Sequence, residues 1–245
     1  MKLFIDTADK DLIIDNLHII KGVTTNPSLV AVTGKSYRES ICDIIKATKD
    51  YDFDISAEVV SSDYDDMLKE ALNITFNRHD FSPQKIESSS STITKETMAL
   101  VRKRVVVKLP LTKDGIKLCQ FLEKNGVRTN ITLCFSIQQA LMAMNAGASF
   151  ISVFVGRVDD LGYNGLDLIA EVQDVIENYR SDYMQSEIIA ASIRSVNHIN
   201  ELAKIGVDIA TIPPKILTSM YDHTLTTAGL KKFTDEWNNS GASFI

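Results

Sequence analysis

Lys108 is the residue of this chain that most needs a chemical reason. It follows three β-branched residues in Val105-Val106-Val107-Lys108-Leu109-Pro110, a run that reads as a buried parallel strand with a cation in it. Lysine is almost never fully buried without a partner or a purpose. Held among apolar side chains, an ammonium is costly, so its pKa falls and a neutral amine becomes available. Such an amine is a nucleophile, able to form a Schiff base with a carbonyl compound. The competing reading is a strand-end lysine whose stem packs on apolar surface while its ammonium reaches water. Six residues leave both open.

Eight short apolar runs must position that lysine and whatever acts with it. They are Leu3–Asp6, Gly22–Asn26, Asp54–Val59, Val105–Pro110, Arg128–Cys134, Phe150–Gly156, Glu187–Ser192 and Ile209–Pro213. Between them the spacing predicts helices: Ile116, Leu118, Phe121 and Leu122 over 113–124, then 136–146, 165–179 and 195–205. Strands alternating with helices imply a parallel sheet. Eight such units in 245 residues predict a closed α/β (β/α)8 TIM barrel, a single domain over 1–245, with an additional C-terminal helix over 226–238. An open doubly wound sheet is the alternative, but no glycine-rich dinucleotide turn follows the first strand. The long interval before Val105 holds a helical stretch over 63–72, a surface insertion over 73–95 with Ser88-Ser89-Ser90-Ser91, and a second helical stretch over 94–104. Following a helix, the Ser-rich piece is expected on the N-terminal face, away from the chemistry.

Chemistry in such a barrel collects at the C-terminal ends of the strands, and polar residues recur there. They are Asp6, then Thr24-Thr25-Asn26, Ser56 and Glu58, Lys108, Asn130 and Thr132, Ser152 with Arg157 beyond it, and Ser192 with Arg194. Residues i and i+2 share a face of a strand, so Ser56/Glu58, Asn130/Thr132 and Ser152/Phe154 are pairs, and Val106 shares its face with Lys108. Capping of the following helices accounts for Ser, Thr, Asn and Asp at such places, Thr25 or Ser136 for example. It accounts poorly for Glu58, Lys108 and the arginines. Arg157, Ser192 and Arg194 suit a phosphate, a common ligand beside the last strands of this fold. Salt bridges on the rim, such as Arg157 with Asp159 or Asp160, are the simpler alternative.

Composition removes other classes. A net charge of -6 and a pI near 5.3 speak against nucleic acid. The tight basic run Arg102-Lys103-Arg104 reads as the last turn of a helix, where cations suit the dipole. Cys42, Cys119 and Cys134 have no CxxC or Cys/His ligand spacing, and the four histidines are scattered, so buried thiols in a reducing compartment are expected and a metal site is not. The amino terminus reads as a strand without a signal-peptide core, and no apolar run is long enough for a membrane. The expected location is the cytoplasm.

Seven motifs resemble one family. They are Phe4-Ile5-Asp6-Thr7-Ala8, Gly22-Val23-Thr24-Thr25-Asn26-Pro27-Ser28-Leu29, Ser56-Ala57-Glu58-Val59, Val106-Val107-Lys108-Leu109-Pro110, Thr129-Asn130-Ile131-Thr132-Leu133, Phe154-Val155-Gly156-Arg157-Val158-Asp159-Asp160 and Ala191-Ser192-Ile193-Arg194. In this order they resemble transaldolase, in the short subfamily that also contains fructose-6-phosphate aldolase. The resemblance runs from residue 3 to about 237, interrupted mainly over 73–95.

That resemblance implies a Schiff-base mechanism on sugar phosphates without metal or organic cofactor. It implies Lys108 as the amine, Asp6 as the base in carbon–carbon cleavage, and Glu58 as the proton carrier through a water held by Thr132. Asn26, Asn130, Ser152 and Phe154 are implied around the donor, and Arg157, Ser192 and Arg194 on the phosphate. Aldolases of the group carry glutamine and tyrosine where Glu58 and Phe154 stand, so the resemblance favours transfer of a dihydroxyacetone unit over its release. A non-catalytic sugar-phosphate-binding barrel is the remaining alternative. Val153 and Thr224 stand where the family commonly has proline, and neither change removes a functional group. The subfamily tends to form homo-oligomers, decamers among them, in which the terminal helix reaches a neighbour.

Overall fold

A computed structural model describes residues 1–75, 103–180 and 185–244. Its strands are β1 (Lys2–Asp6), β2 (Gly22–Thr24), β3 (Asp54–Glu58), β4 (Val105–Pro110), β5 (Thr129–Cys134), β6 (Phe150–Phe154), β7 (Glu187–Ala191) and β8 (Ile209–Ile212). They close in sequence order into one parallel barrel, β8 pairing back onto β1. The (β/α)8 expectation therefore holds, and the open sheet does not. Most boundaries fall within two residues of the sequence reading. The Ser-rich segment and all of the 94–104 stretch except Lys103 and Arg104 lie outside the described residues.

Strand parity divides the core in two. Ile5, Val23, Ile55, Val105, Val107, Ile131, Ile151, Val153, Ile188, Ala190 and Ala210 face outward into the large cluster that the helices cover. The alternate residues Phe4, Val106, Phe150, Ile189 and Ile209 form a separate apolar plug inside the barrel. Phe4 meets Phe150 edge-on at 6.3 Å between centroids. Gly22 makes room for that ring, because a Cβ there would lie 2.5 Å from it. Two residues further along these strands the interior turns polar: Asp6, Lys108, Ser152 and Thr211 stand directly above Phe4, Val106, Phe150 and Ile209.

The helices are α1 (Lys10–Asn16), α2 (Pro27–Val32), α3 (Tyr37–Ala47), α4 (Tyr64–Ile74), α5 (Lys113–Lys124), α6 (Ile137–Asn145), α7 (Gly156–Asp159), α8 (Gly165–Tyr179), α9 (Val196–Ile205), α10 (Pro214–Ser219) and α11 (Thr224–Ser240). Side-chain caps start most of them: Asp9, Ser36, Asp63, Thr112, Ser136, Asn164 and Ser195 each accept from a backbone N–H of the first turn. Thr25 is not a cap. Its hydroxyl donates to the Ser56 carbonyl at 2.9 Å, and Asn26 caps α2 instead. Arg104 is buried, and its guanidinium donates to the Thr48 and Lys49 carbonyls at the end of α3. Cys119 and Cys134 are buried, and Cys42 is only half-buried. The terminal helix is longer than the 226–238 read from sequence and buries none of its residues against the barrel.

Candidate active site

Register brings Lys108 and Glu58 together. Glu58 lies opposite Lys108 in the β3–β4 ladder, on the inner face of both strands. Their side chains meet at 3.0 Å, Lys108 Nζ to Glu58 Oε2. Lys108 is only 6% exposed and also donates to the Thr25 carbonyl at 3.3 Å. The lysine is therefore an inward-facing, buried residue, and the snorkelling alternative is excluded. The setting differs from the apolar one that three valines suggest: the ammonium has a carboxylate within direct proton-transfer distance. The sequence alone leaves the Glu58 contact out of sight, because pairing across adjacent strands depends on their register.

Asp6 lies on the other side of the site, at the end of β1. Thr24 donates its hydroxyl to Asp6 Oδ1 at 2.6 Å, and Thr211 stands 2.6 Å from the same hydroxyl. With the Thr24 proton on Asp6, Thr211 is the donor of the second contact, so the relay runs Thr211 to Thr24 to Asp6. Burial pushes the Asp6 carboxyl above the ordinary carboxylate range, against the lowering effect of the Thr24 bond and the Lys108 charge. Thr24 stands among the polar strand ends read from sequence but without a role, and Thr211 is not singled out there. The period-two rule applied to Ile209/Thr211 of β8 would have found it.

Asn130, Ser152 and Thr132 occupy the third side. Asn130 donates to Ser56 Oγ at 2.9 Å and accepts from Ser152 at 2.8 Å. It is fully buried, and its side chain links Ser56 of β3 to Ser152 of β6 beside the cleft. Thr132 lines the cleft, is 1% exposed, and its hydroxyl has no hydrogen-bond partner among the described residues. A buried hydroxyl left so is a place for a bound water or ligand.

The cleft above these groups measures about 740 Å³. Asp6, Asn26, Glu58, Lys108, Thr132 and Ser152 line its depth, and Phe154, Arg157, Ser192, Arg194 and Lys215 its rim. A smaller pocket of about 300 Å³ between α3 and α4 shares Glu58 with it, but not Lys108 or the rim arginines. Asn26 Oδ1 accepts from the Leu29 N–H, which leaves its side-chain NH2 group for the cleft. Phe154 stacks with Phe135 at 5.3 Å and carries the Arg157 guanidinium over its face at 4.9 Å. Arg194, not Arg157, makes the rim salt bridge, to Asp160 at 2.8 Å. Two non-glycine residues with left-handed backbone, Leu133 (φ 62°) and Ser192 (φ 61°), also line the cleft. Strain of this kind gathers at functional sites. Gly156 lets the Ser192 turn come close: a Cβ there would lie 2.3 Å from the Ser192 carbonyl oxygen and 2.6 Å from Arg194 Cγ.

Fold and cleft together define a (β/α)8 barrel with its polar groups gathered at the carboxyl ends of the strands. The chain matches the family described as Transaldolase/Fructose-6-phosphate aldolase over residues 3–243. It is 39% identical to a "Probable transaldolase" of Paracoccus denitrificans (strain Pd 1222) over 250 residues, covering all of both chains. It is 42% identical to a "Probable transaldolase" of Brucella anthropi over 246 residues, covering 98% of each. The chain belongs to the transaldolase/fructose-6-phosphate aldolase family.

Proposed function

We propose that this protein is a transaldolase, acting on sugar phosphates in the pentose phosphate pathway. It would move a dihydroxyacetone unit from sedoheptulose 7-phosphate or fructose 6-phosphate to glyceraldehyde 3-phosphate or erythrose 4-phosphate. The observation that carries the reading is the buried Lys108–Glu58 pair, 3.0 Å apart at the bottom of a cleft with arginines on its rim.

Glu58 takes a proton from the Lys108 ammonium, and the free amine adds to the ketose carbonyl. The resulting hydroxyl leaves as water once Glu58 returns a proton, through a water at the unpartnered Thr132 hydroxyl. Asp6 then removes the proton of the C4 hydroxyl. The C3–C4 bond breaks, its electron pair flows to the iminium nitrogen, and an aldose phosphate departs. The enamine left on Lys108 adds to the incoming aldehyde, Asp6 gives its proton to the new alkoxide, and water releases the product. The two carboxylates have different environments, which suits two different proton roles. The Arg157 and Arg194 guanidinium groups and the Ser192 hydroxyl would hold the phosphate.

Borohydride reduction in the presence of fructose 6-phosphate tests the covalent step. An adduct is expected on the peptide carrying Lys108, and active enzyme modified elsewhere, or nowhere, would sink the reading. Transfer is favoured over release by Glu58 and Phe154, since phenylalanine offers no phenol to protonate the bound three-carbon unit. Product formation should depend on an added aldose phosphate acceptor. Equal release of free dihydroxyacetone without acceptor would instead favour the aldolase reading.

A homo-oligomer, a decamer in the subfamily's manner, and a cytoplasmic location complete the proposal. Leu225, Leu230, Phe233 and Trp237 of α11 are 44 to 74% exposed, a patch suited to a second copy of the chain. Light scattering on the full chain is expected to give a multiple of the 27.2 kDa protomer, and a monomer at micromolar concentration would refute the assembly. The unpaired Cys42, Cys119 and Cys134 suit a reducing compartment, and cell fractionation that placed the protein outside the cytoplasm would overturn the location. Among the described residues no helix is long and apolar enough to cross a membrane.

A further inference from the structure

We propose that His198 is a positioning residue for the anion-binding rim, fixing Arg194 through its backbone rather than through any contact with substrate. The inference rests on the reading of Arg157, Ser192 and Arg194 as a phosphate site.

The local sequence sets the geometry. Ser195 caps α9 by accepting from the His198 N–H at 3.2 Å. The cap places His198 one turn into the helix, with its ring turned back over the Ser192–Arg194 turn. The Arg194 backbone N–H donates to His198 Nδ1 at 3.4 Å. The other ring nitrogen, Nε2, stands 3.4 Å from Asp159 Oδ2 on α7. An Nδ1 that accepts a hydrogen bond carries no proton, so in the neutral ring the proton belongs on Nε2, facing the carboxylate. Asp159 is itself fixed, because its Oδ1 accepts from the Gly165 N–H at 2.8 Å at the start of α8.

Arg194 is thus held at both ends. Asp160 holds its guanidinium, and His198, with Asp159 3.4 Å from its other ring nitrogen, accepts from its backbone. Its side chain lies along the bare face of Gly156. Yet the Arg194 side chain is 55% exposed, and a long exposed side chain must otherwise be ordered when it binds an anion. A rim held in advance binds phosphate more tightly without altering the chemistry below it. His198 is not among the residues lining the cleft, and it appears nowhere in the mechanism.

The test compares glyceraldehyde 3-phosphate with unphosphorylated glyceraldehyde as acceptor. His198→Gln puts an amide near the Nε2 position and loses the acceptor for Arg194. His198→Asn keeps an oxygen near the Nδ1 position. His198→Leu and His198→Gln are expected to raise KM for the phosphorylated acceptor about 5- to 10-fold, the loss of one hydrogen bond. Values of kcat, and of KM for glyceraldehyde, should stay within about twofold, and His198→Asn should stay close to wild type. Equal losses with both acceptors, a His198→Asn enzyme as impaired as His198→Leu, or an unchanged KM in His198→Leu would each overturn the inference. Arg194→Met separates the two levels. If it raises KM for the phosphorylated acceptor while the His198 variants do not, this inference fails alone; if it has no effect either, the phosphate reading fails as well.

Discussion

Replacing Lys108 by arginine is expected to abolish turnover and borohydride trapping together, while the barrel stays folded. A guanidinium stays protonated at any working pH, so it cannot supply the amine that the covalent route needs. The loss should be at least about 10⁴-fold in kcat, about 5 kcal/mol of transition-state stabilisation. Arginine suits the test because it keeps the positive charge opposite Glu58. Methionine at 108 would strand a largely buried carboxylate, and breaking a buried pair from one side is strongly destabilising. Circular dichroism should therefore show a Lys108→Arg barrel melting within a few degrees of wild type, with mass spectrometry finding no adduct. A Lys108→Arg enzyme that retained even a few per cent of activity would remove Lys108 from the chemistry.

Asp6→Asn is expected to make the protein more stable and almost inactive. The proton transfer assigned to Asp6 requires its ionised form, and removing a general base of this kind costs about 10²- to 10⁴-fold in rate. The stability effect follows from the direction of the Asp6 shift. Burial raises its pKa in the folded state, so at acidic pH the folded chain binds this proton more readily than the unfolded chain does. Stability from this group is then fully present below the unfolded value near 3.8 and falls as pH rises towards the raised folded value. Above that window the buried carboxylate is a fixed cost. Asparagine removes the charge and keeps an oxygen to accept from Thr24. Its melting temperature should exceed that of wild type at pH 7, and the gap should close as pH is lowered below the window. Wild-type kcat should rise with pH through the raised Asp6 value, a limb absent from any residual Asp6→Asn activity. A variant less stable than wild type at pH 7 would mean that Asp6 contributes more as an ionised hydrogen-bond acceptor than its burial costs.

How much of this was legible in the residues can be followed element by element. Val105–Pro110, Lys113–Lys124 and Gly165–Tyr179 have the same limits in the sequence reading and in the structure. Their β-branched run and apolar spacing are local signals, read without knowing the neighbours. Alternation along β4 likewise put Val106 and Lys108 on one face. The motifs carrying Asp6, Glu58, Thr132 and the rim arginines led to the family that the comparisons support. Less legible were the pairings. Asn26 was read as a donor-binding residue, and half of its amide is spent capping α2. Asn130 links Ser56 to Ser152, a pairing that no local spacing announces. Arg157 was offered a salt bridge that Arg194 makes.

The division has one physical cause. Periodicity, caps and β-branching depend on residues a few positions apart, so the chain by itself determined its strands, most of its helices, the shared face of Val106 and Lys108 and the gathering of polar groups at one end of the barrel. Ladder register and barrel closure depend on residues far apart in sequence. They alone decided that Glu58 meets Lys108 and that Thr211 reaches Thr24 and through it Asp6, and tertiary packing set Asp159 against His198.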